Sequence, residues 1–180
     1  MKKLALFAAL TAVLFTTPAD AQDKDQDEDV VKYFQISLWP SAQVYDKSYS
    51  IHGVRLSLLY GVNRDMIGFD FGIANDVGRD MKGVQLGFFS WVRRDCVGWQ
   101  HSFFGGVKRD MKGFQSGIIN GGKDVWGVQW GLFNGATAVT GVQFGVFNKT
   151  TWLNGIQIGL LNIATDNDSH PILPIINWNF

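Results

Sequence analysis

The feature that most constrains this chain is a glycine that returns every fourteen or fifteen residues through most of its length. The residue after each glycine is apolar, the second is glutamine in six of the eight units, and the fourth is glycine or serine. The eight glycines are Gly53, Gly68, Gly83, Gly98, Gly113, Gly127, Gly141 and Gly155. Self-similarity at a short fixed period is typical of repeat architectures, in which each unit completes its core only against its neighbours.

Within each unit the side chains alternate with a period of two, which predicts strand and argues against helix. In one unit Val128, Trp130 and Leu132 fall on an apolar face. Gln129 and Gly131 fall on the opposite face. Glycine, asparagine and aspartate separate the units, and these residues favour turns. The sequence therefore predicts an all-β fold with one strand in each of eight repeats.

The ends of the chain divide it into a leader and one domain. A basic pair, a short apolar run and an A-x-A sequence ending at Ala21 predict a signal peptide over residues 1–21. Residues 22–31 are rich in aspartate and predict a flexible acidic leader. Residues 32–180 then form a single β-repeat domain, with the repeats over 53–162 and further strands at each end. We therefore expect an exported protein.

Two arrangements of these strands are open, an antiparallel meander and a parallel solenoid. Around Gln129 the Gln face reads Val125, Gly127, Gln129, Gly131, Phe133, which is a palindrome. Mirror symmetry within a strand suits antiparallel pairing, and a parallel stack has no need for it. The sequence therefore predicts an antiparallel meander that closes into a small outer-membrane-type β-barrel of about ten strands. The alternative is a repeat β-solenoid.

The two arrangements make opposite predictions about the Gln face. In a barrel, the apolar face meets lipid while glutamine and glycine fill a narrow lumen. In a soluble solenoid, the apolar face is the core and glutamine points to water. In either arrangement Arg55 and Asp70, which stand where later units have glutamine, are expected to pair as one compensated exchange. The predicted Gln-face ladder comprises Arg55, Asp70, Gln85, Gln100, Gln115, Gln129, Gln143 and Gln157.

The C-terminal strand, residues 171–180, alternates apolar residues up to the last position. Trp178 and Phe180 are typical of the closing strand by which bacterial outer-membrane barrels are recognised for assembly. The expected partners are therefore outer-membrane lipid and the barrel-assembly machinery, and the expected location is the outer membrane or cell surface of a Gram-negative-type bacterium.

Motifs for chemistry are missing from the sequence. Sixteen basic residues balance sixteen acidic ones, so no electrostatic attraction to nucleic acid is expected. His52, His101 and His170 lack metal-ligand spacing. Cys96 occupies a position that methionine, valine or leucine fills in other units. We therefore expect no catalytic, cofactor-binding or metal-binding residues, no cofactor and no enzyme activity, and the sequence leaves any small-molecule ligand open.

The repeated G-V-Q-x-G-x-x-N units, the opening FQISLWPS, the segment LSLLYGV and the closing PILPIINWNF resemble a bacterial GxQxGxxN surface-repeat family of exported or outer-membrane proteins. The resemblance covers residues 33–180, and the early units depart from its pattern at Arg55 and Asp70. It implies a role at the cell envelope, no known activity and no catalytic residues. The expected function is therefore a non-enzymatic outer-membrane or surface protein, structural or weakly pore-forming. The alternative is a secreted or surface-attached β-solenoid that acts as a binding or adhesion module.

Overall fold

The computed structural model describes residues 30–167 and 170–180, and all regular structure within them is β-strand. The predicted all-β class is confirmed. The strands are β1 (Val31–Trp39), β2 (Ala42–Gln43), β3 (Ser50–Asn63), β4 (Met66–Val77), β5 (Met81–Val92), β6 (Cys96–Gly135), β7 (Ala138–Phe144), β8 (Phe147–Thr150), β9 (Trp152–Ala164) and β10 (Ile172–Asn179). None of the described residues belongs to a helix that is long and apolar enough to cross a membrane. The signal peptide predicted over 1–21 and nearly all of the leader predicted over 22–31 lie outside the described residues.

Successive units stack in parallel, so the predicted antiparallel meander closing into a barrel is wrong. In β3 to β5 each repeat glycine pairs with the glycine of the next unit, Gly53 with Gly68 and Gly68 with Gly83. Like residues therefore lie above one another, and the chain winds as a β-solenoid of about nine turns. The sheet order runs from β10 at one end to β1 and β2 at the other, and among the described strands no pairing joins the two ends.

The palindrome predicted the wrong direction of pairing because a repeat unit is a bent coil and not one straight strand. In β4 the pairing with β5 covers residues 66–72 and then resumes at 74–77, which defines a long arm and a short arm. The bend follows two consecutive side chains that both face outward. In a later unit these are Leu132 and Phe133, after which Asn134 is buried. Phe133 therefore does not lie on the Gln face, and the mirror symmetry is lost.

The repeat glycines allow neighbouring coils to approach closely. All eight have φ between 123° and 155°, a conformation that side chains with a Cβ rarely adopt. A Cβ added to Gly127 would lie 2.1 Å from the carbonyl oxygen of Gly113 in the preceding coil. The recurring glycine is therefore a requirement of coil-on-coil stacking.

The interior of the coils has an apolar end and a polar centre. At the apolar end, one buried residue per coil precedes the repeat glycine by two positions. These residues are Ile51, Met66, Met81, Cys96, Met111, Val125, Val139 and Leu153, and they pack with Val77, Val92, Val107 and Ala164 of the short arms. The centre is filled by glutamine, asparagine and serine.

The expectation that a solenoid would bury its apolar face and expose glutamine is also wrong. Gln129 is fully buried, whereas Trp130 and Phe71 on the opposite face are 57% and 54% exposed. Parallel in-register stacking explains this, because it places identical amides in contact and lets them satisfy one another inside the coil. The apolar residues of the long arms are left outside.

Each end of the solenoid is covered by a strand that is not a full repeat. At the N-terminal end β1 pairs in parallel with β3 and places Gln35 over Arg55. At the C-terminal end β10 pairs antiparallel with β9 and places Asn177 over Gln157. These strands cover the backbone groups of the first and last coils, which would otherwise be open to edge-to-edge association.

Cys96 lies at the apolar end of the coil interior, and its burial raises the pKa of its thiol to about 12. The thiolate is the reactive species. We therefore expect iodoacetamide at pH 8 to modify Cys96 far more slowly in the folded chain than in urea, as followed by mass spectrometry. Equal rates in the two conditions would contradict the buried placement.

Candidate functional site

All eight residues of the predicted ladder lie in one buried column. From Gln100 onward, each glutamine donates from Nε2 to the Oε1 atom of the glutamine one coil earlier, over 2.7 to 2.8 Å. Every side chain in the column is fully buried. The ladder therefore holds coils together and presents nothing to a ligand.

Arg55 and Asp70 begin this column. Nε and Nη2 of Arg55 each donate to one carboxylate oxygen of Asp70 over 2.7 Å, and Gln85 donates to Asp70 over 2.9 Å. Arg55 also donates from Nη1 to the carbonyl oxygen of Asp76 over 3.1 Å. The two charges thus pair within the column, in the adjacent units where glutamine is missing.

A second ladder, of asparagines, runs along the coils, as the solenoid alternative implies for a residue that recurs at one position of the unit. Each asparagine but the last donates a hydrogen bond from Nδ2 to Oδ1 of the asparagine one coil later, over 2.8 Å. The residues in this ladder are Asn120, Asn134, Asn148 and Asn162. The asparagines donate toward the C-terminal end, whereas the glutamines donate toward the N-terminal end. The signal was the recurrence of asparagine seven residues after the repeat glycine, but its meaning depends on parallel stacking.

The turns between coils carry a row of charges. Asp65, Asp80 and Asp95 each accept a hydrogen bond from the backbone N–H of the aspartate in the next coil. Burial by itself would raise the pKa of Asp65, but the hydrogen bonds from Arg79 and from Asp80 N–H and the positive charge of Arg79 hold it below its usual range. This row joins the turns and forms the boundary of the exposed apolar face.

Apolar side chains of the long arms form an exposed face along the described coils. It consists of the outward side chains at the first, third and fifth positions after each repeat glycine, which we call the outer face. Examples in one coil are Phe69, Phe71 and Ile73, all exposed. Lys82 and Lys112 lie at its edge, next to the turns. Each of the three positions forms a row of side chains across the coils. Within the described residues only two polar side chains interrupt these rows, His101 and Ser116, which lie in neighbouring coils.

A cavity of 440 Å³ lies at this interruption. Three aromatic residues, Trp99, Phe114 and Trp130, line it, and two polar residues, His101 and Ser116, also line it. The indole Nε1 of Trp99 donates to Ser116 Oγ over 3.0 Å, and Ser116 Oγ lies 2.9 Å from His101 Nδ1. The cavity forms because serine stands where neighbouring coils carry a large side chain.

Ser116 and His101 lie within hydrogen-bond distance of each other, as a serine and its base do, but among the described residues no third group orients the histidine. Ser116 is buried beneath its neighbours, and its oxygen already accepts a hydrogen bond from the indole N–H of Trp99. The hydrogen bonds of the described residues include no carboxylate bonded to His101. In Ser-His-Asp sites such a carboxylate holds the histidine in its catalytic orientation.

Trp178 lies in β10, and Phe180 lies directly after that strand. Trp178 pairs with Ile156 of β9 and its ring stacks on His170. Phe180 is 87% exposed. Because β10 covers the last coil, both residues lie, in the described sheet, at the end opposite to the first coil.

Among the described residues no group of histidine, cysteine or acidic side chains is placed to hold a metal ion. Comparisons of the chain with protein-family models, with curated proteins and with solved structures each found no match.

Proposed function

We propose that this chain is a non-enzymatic, exported protein of the bacterial envelope that attaches to a lipid layer through its outer face. The observation that carries the proposal is the apolar surface along the long arms, which in the described residues only His101 and Ser116 interrupt. Eight coils about 4.8 Å apart and strands of about seven residues give a patch of roughly 700 Å². Contiguous apolar patches of more than a few hundred Å² mark interaction sites.

The residue types at the boundary of the outer face favour lipid as the partner. Trp126 and Trp152 lie at the end of the long arms where each coil begins, and both are exposed. Tryptophan prefers the interface between water and membrane. Lys82 and Lys112 share that edge, where an ammonium group can reach the phosphates of anionic lipids. The signal peptide predicted over residues 1–21 supports export.

The proposal predicts binding to vesicles that depends on the outer face. We expect the chain to float with phosphatidylglycerol vesicles, and less strongly with phosphatidylcholine vesicles because the lysines then lose their partners. A Phe71→Asp, Phe144→Asp double variant should lower the partition coefficient at least about tenfold, since two charges enter an apolar contact.

Thr151→Asp provides the control, because Thr151 is an exposed turn residue away from the outer face. Far-UV circular dichroism establishes that each variant keeps its strands. Failure of the parent chain to float with either lipid would refute the proposal. So would a dimer in solution that the Phe71, Phe144 double variant dissociates, because the outer face would then bind a second copy.

The binding-module alternative uses the same surface. The solenoid architecture supports it, and the cavity beside His101 is the specific observation in its favour. A module of this kind would bind a partner at that cavity, where the outer face is no longer uniformly apolar.

A further inference from the structure

We infer that the cavity bounded by Trp99, Phe114 and Trp130 is a binding site for an uncharged pyranose ring. Its volume of 440 Å³ lies within the range of small-molecule pockets. Such pockets combine mainly apolar walls with a few polar groups that orient the ligand. Here the walls are aromatic, and the polar groups are Ser116 and His101.

The hydrogen bonds at the base of the cavity determine what it offers. Trp99 donates its indole proton to Ser116 Oγ. Because Ser116 Oγ accepts this hydrogen bond, its own O–H group is free to donate a hydrogen bond to His101 Nδ1. The imidazole then carries its proton on Nε2, where it can donate to a ligand oxygen. Ser102 also borders the cavity, but it stands at the fourth position after Gly98, so its buried hydroxyl faces the interior of the coil beside Gly105 and is not directed at a ligand.

A pyranose ring matches both kinds of surface. The faces of aromatic rings are electron-rich and attract C–H groups, which a sugar presents on one side of its ring. Hydroxyl groups at the ring edge can accept a hydrogen bond from Nε2 of His101, whose ring the Ser116 hydroxyl holds through Nδ1. The residues that line the cavity carry no carboxylate, lysine or arginine, which favours a neutral ligand.

The ring can come from a free saccharide or from the headgroup of a glycolipid. Only the second source rests on the proposed lipid-binding face. The cavity opens within that face, so a sugar headgroup in the lipid layer would meet it directly.

The test uses the full exported chain and uncharged probes in solution. The probes are the methyl glycosides of glucose, galactose, mannose and N-acetylglucosamine, with cyclohexanemethanol as a ring that lacks the hydroxyl pattern. Binding is followed by tryptophan fluorescence and by saturation-transfer NMR. We expect at least one glycoside to bind saturably, and cyclohexanemethanol to bind at least tenfold more weakly.

Two variants locate the site. Trp99→Ala and Ser116→Val should each weaken glycoside binding by about tenfold or more, because one removes a stacking surface and the other a hydrogen bond. Other coils carry apolar residues at the Ser116 position, so the valine should leave the fold intact. Trp39→Ala is the matched control, as an exposed tryptophan of β1 outside the cavity, and it should bind as the parent does.

The inference is overturned if no glycoside binds, if cyclohexanemethanol binds as well as the sugars, or if Trp39→Ala weakens binding as much as Trp99→Ala. Vesicles that contain a glycolipid with the preferred headgroup distinguish the sources. Stronger flotation than with plain phosphatidylglycerol, competed by the free glycoside, indicates a lipid-borne ligand, whereas binding of the free glycoside alone indicates a saccharide. Flotation with plain vesicles tests the outer face separately, so either proposal can fail without the other.

Discussion

Replacing Asp70 with asparagine is expected to destabilise the folded chain by about 3–5 kcal/mol, because it leaves the Arg55 guanidinium buried without its counter-charge. Both side chains are fully buried, and Asp70 accepts two hydrogen bonds from Arg55. The measurement is the shift of the urea midpoint, followed by circular dichroism. A solenoid can unfold in stages, so the midpoint of the first transition is the quantity to compare.

The double variant Arg55→Gln, Asp70→Gln should lose much less, about 1–2 kcal/mol, because two glutamines continue the ladder of the later coils and no charge is left buried. Asp80→Asn is the matched control. Its partner Arg94 lies 3.5 Å away with both side chains partly exposed, and such surface pairs contribute about 1 kcal/mol or less. A double-mutant cycle without coupling between positions 55 and 70 would contradict the pairing.

Replacing Gly127 with alanine should be similarly damaging, with a loss of about 3–5 kcal/mol or failure to fold. Two costs combine at this position. The φ of 134° is unfavourable for alanine. The added methyl group would also overlap the Gly113 carbonyl oxygen, which belongs to backbone and cannot turn aside. Thermal unfolding and the yield of folded protein measure the effect.

Gly135→Ala tests whether the loss is specific to the repeat glycine. A Cβ at Gly135 would meet its nearest neighbour, the carbonyl oxygen of Asn120, at 4.0 Å. Its φ lies outside the strained region, so the change should be neutral or slightly stabilising through the unfolded state. Equal losses in the two variants would show that coil spacing does not depend on the repeat glycine.

Much of the site could be anticipated from pattern, and one part could not. The ladder column was predictable because like residues meet in any in-register arrangement, parallel or antiparallel. Arg55 therefore faces Asp70 in either case. The cavity was not predictable, because it needs Trp99, Ser116 and Trp130 to come together from three successive coils. Strand alternation showed only that each of these residues faces away from glutamine.

The sequence by itself determined the all-β class, the repeating unit and the two-sided character of each long arm, since these follow from a period of two within the strand and a fixed step between glycines. Only the tertiary structure decided the direction of pairing and which side is inside. Alternation is the same whether Gln129 lines a lumen, faces water or lies within a coil. The bend after Leu132 and Phe133 and the close approach of Gly127 to the preceding coil favour parallel stacking. Parallel stacking lets buried amides hydrogen-bond one another, and it leaves the aromatic side chains on the outside.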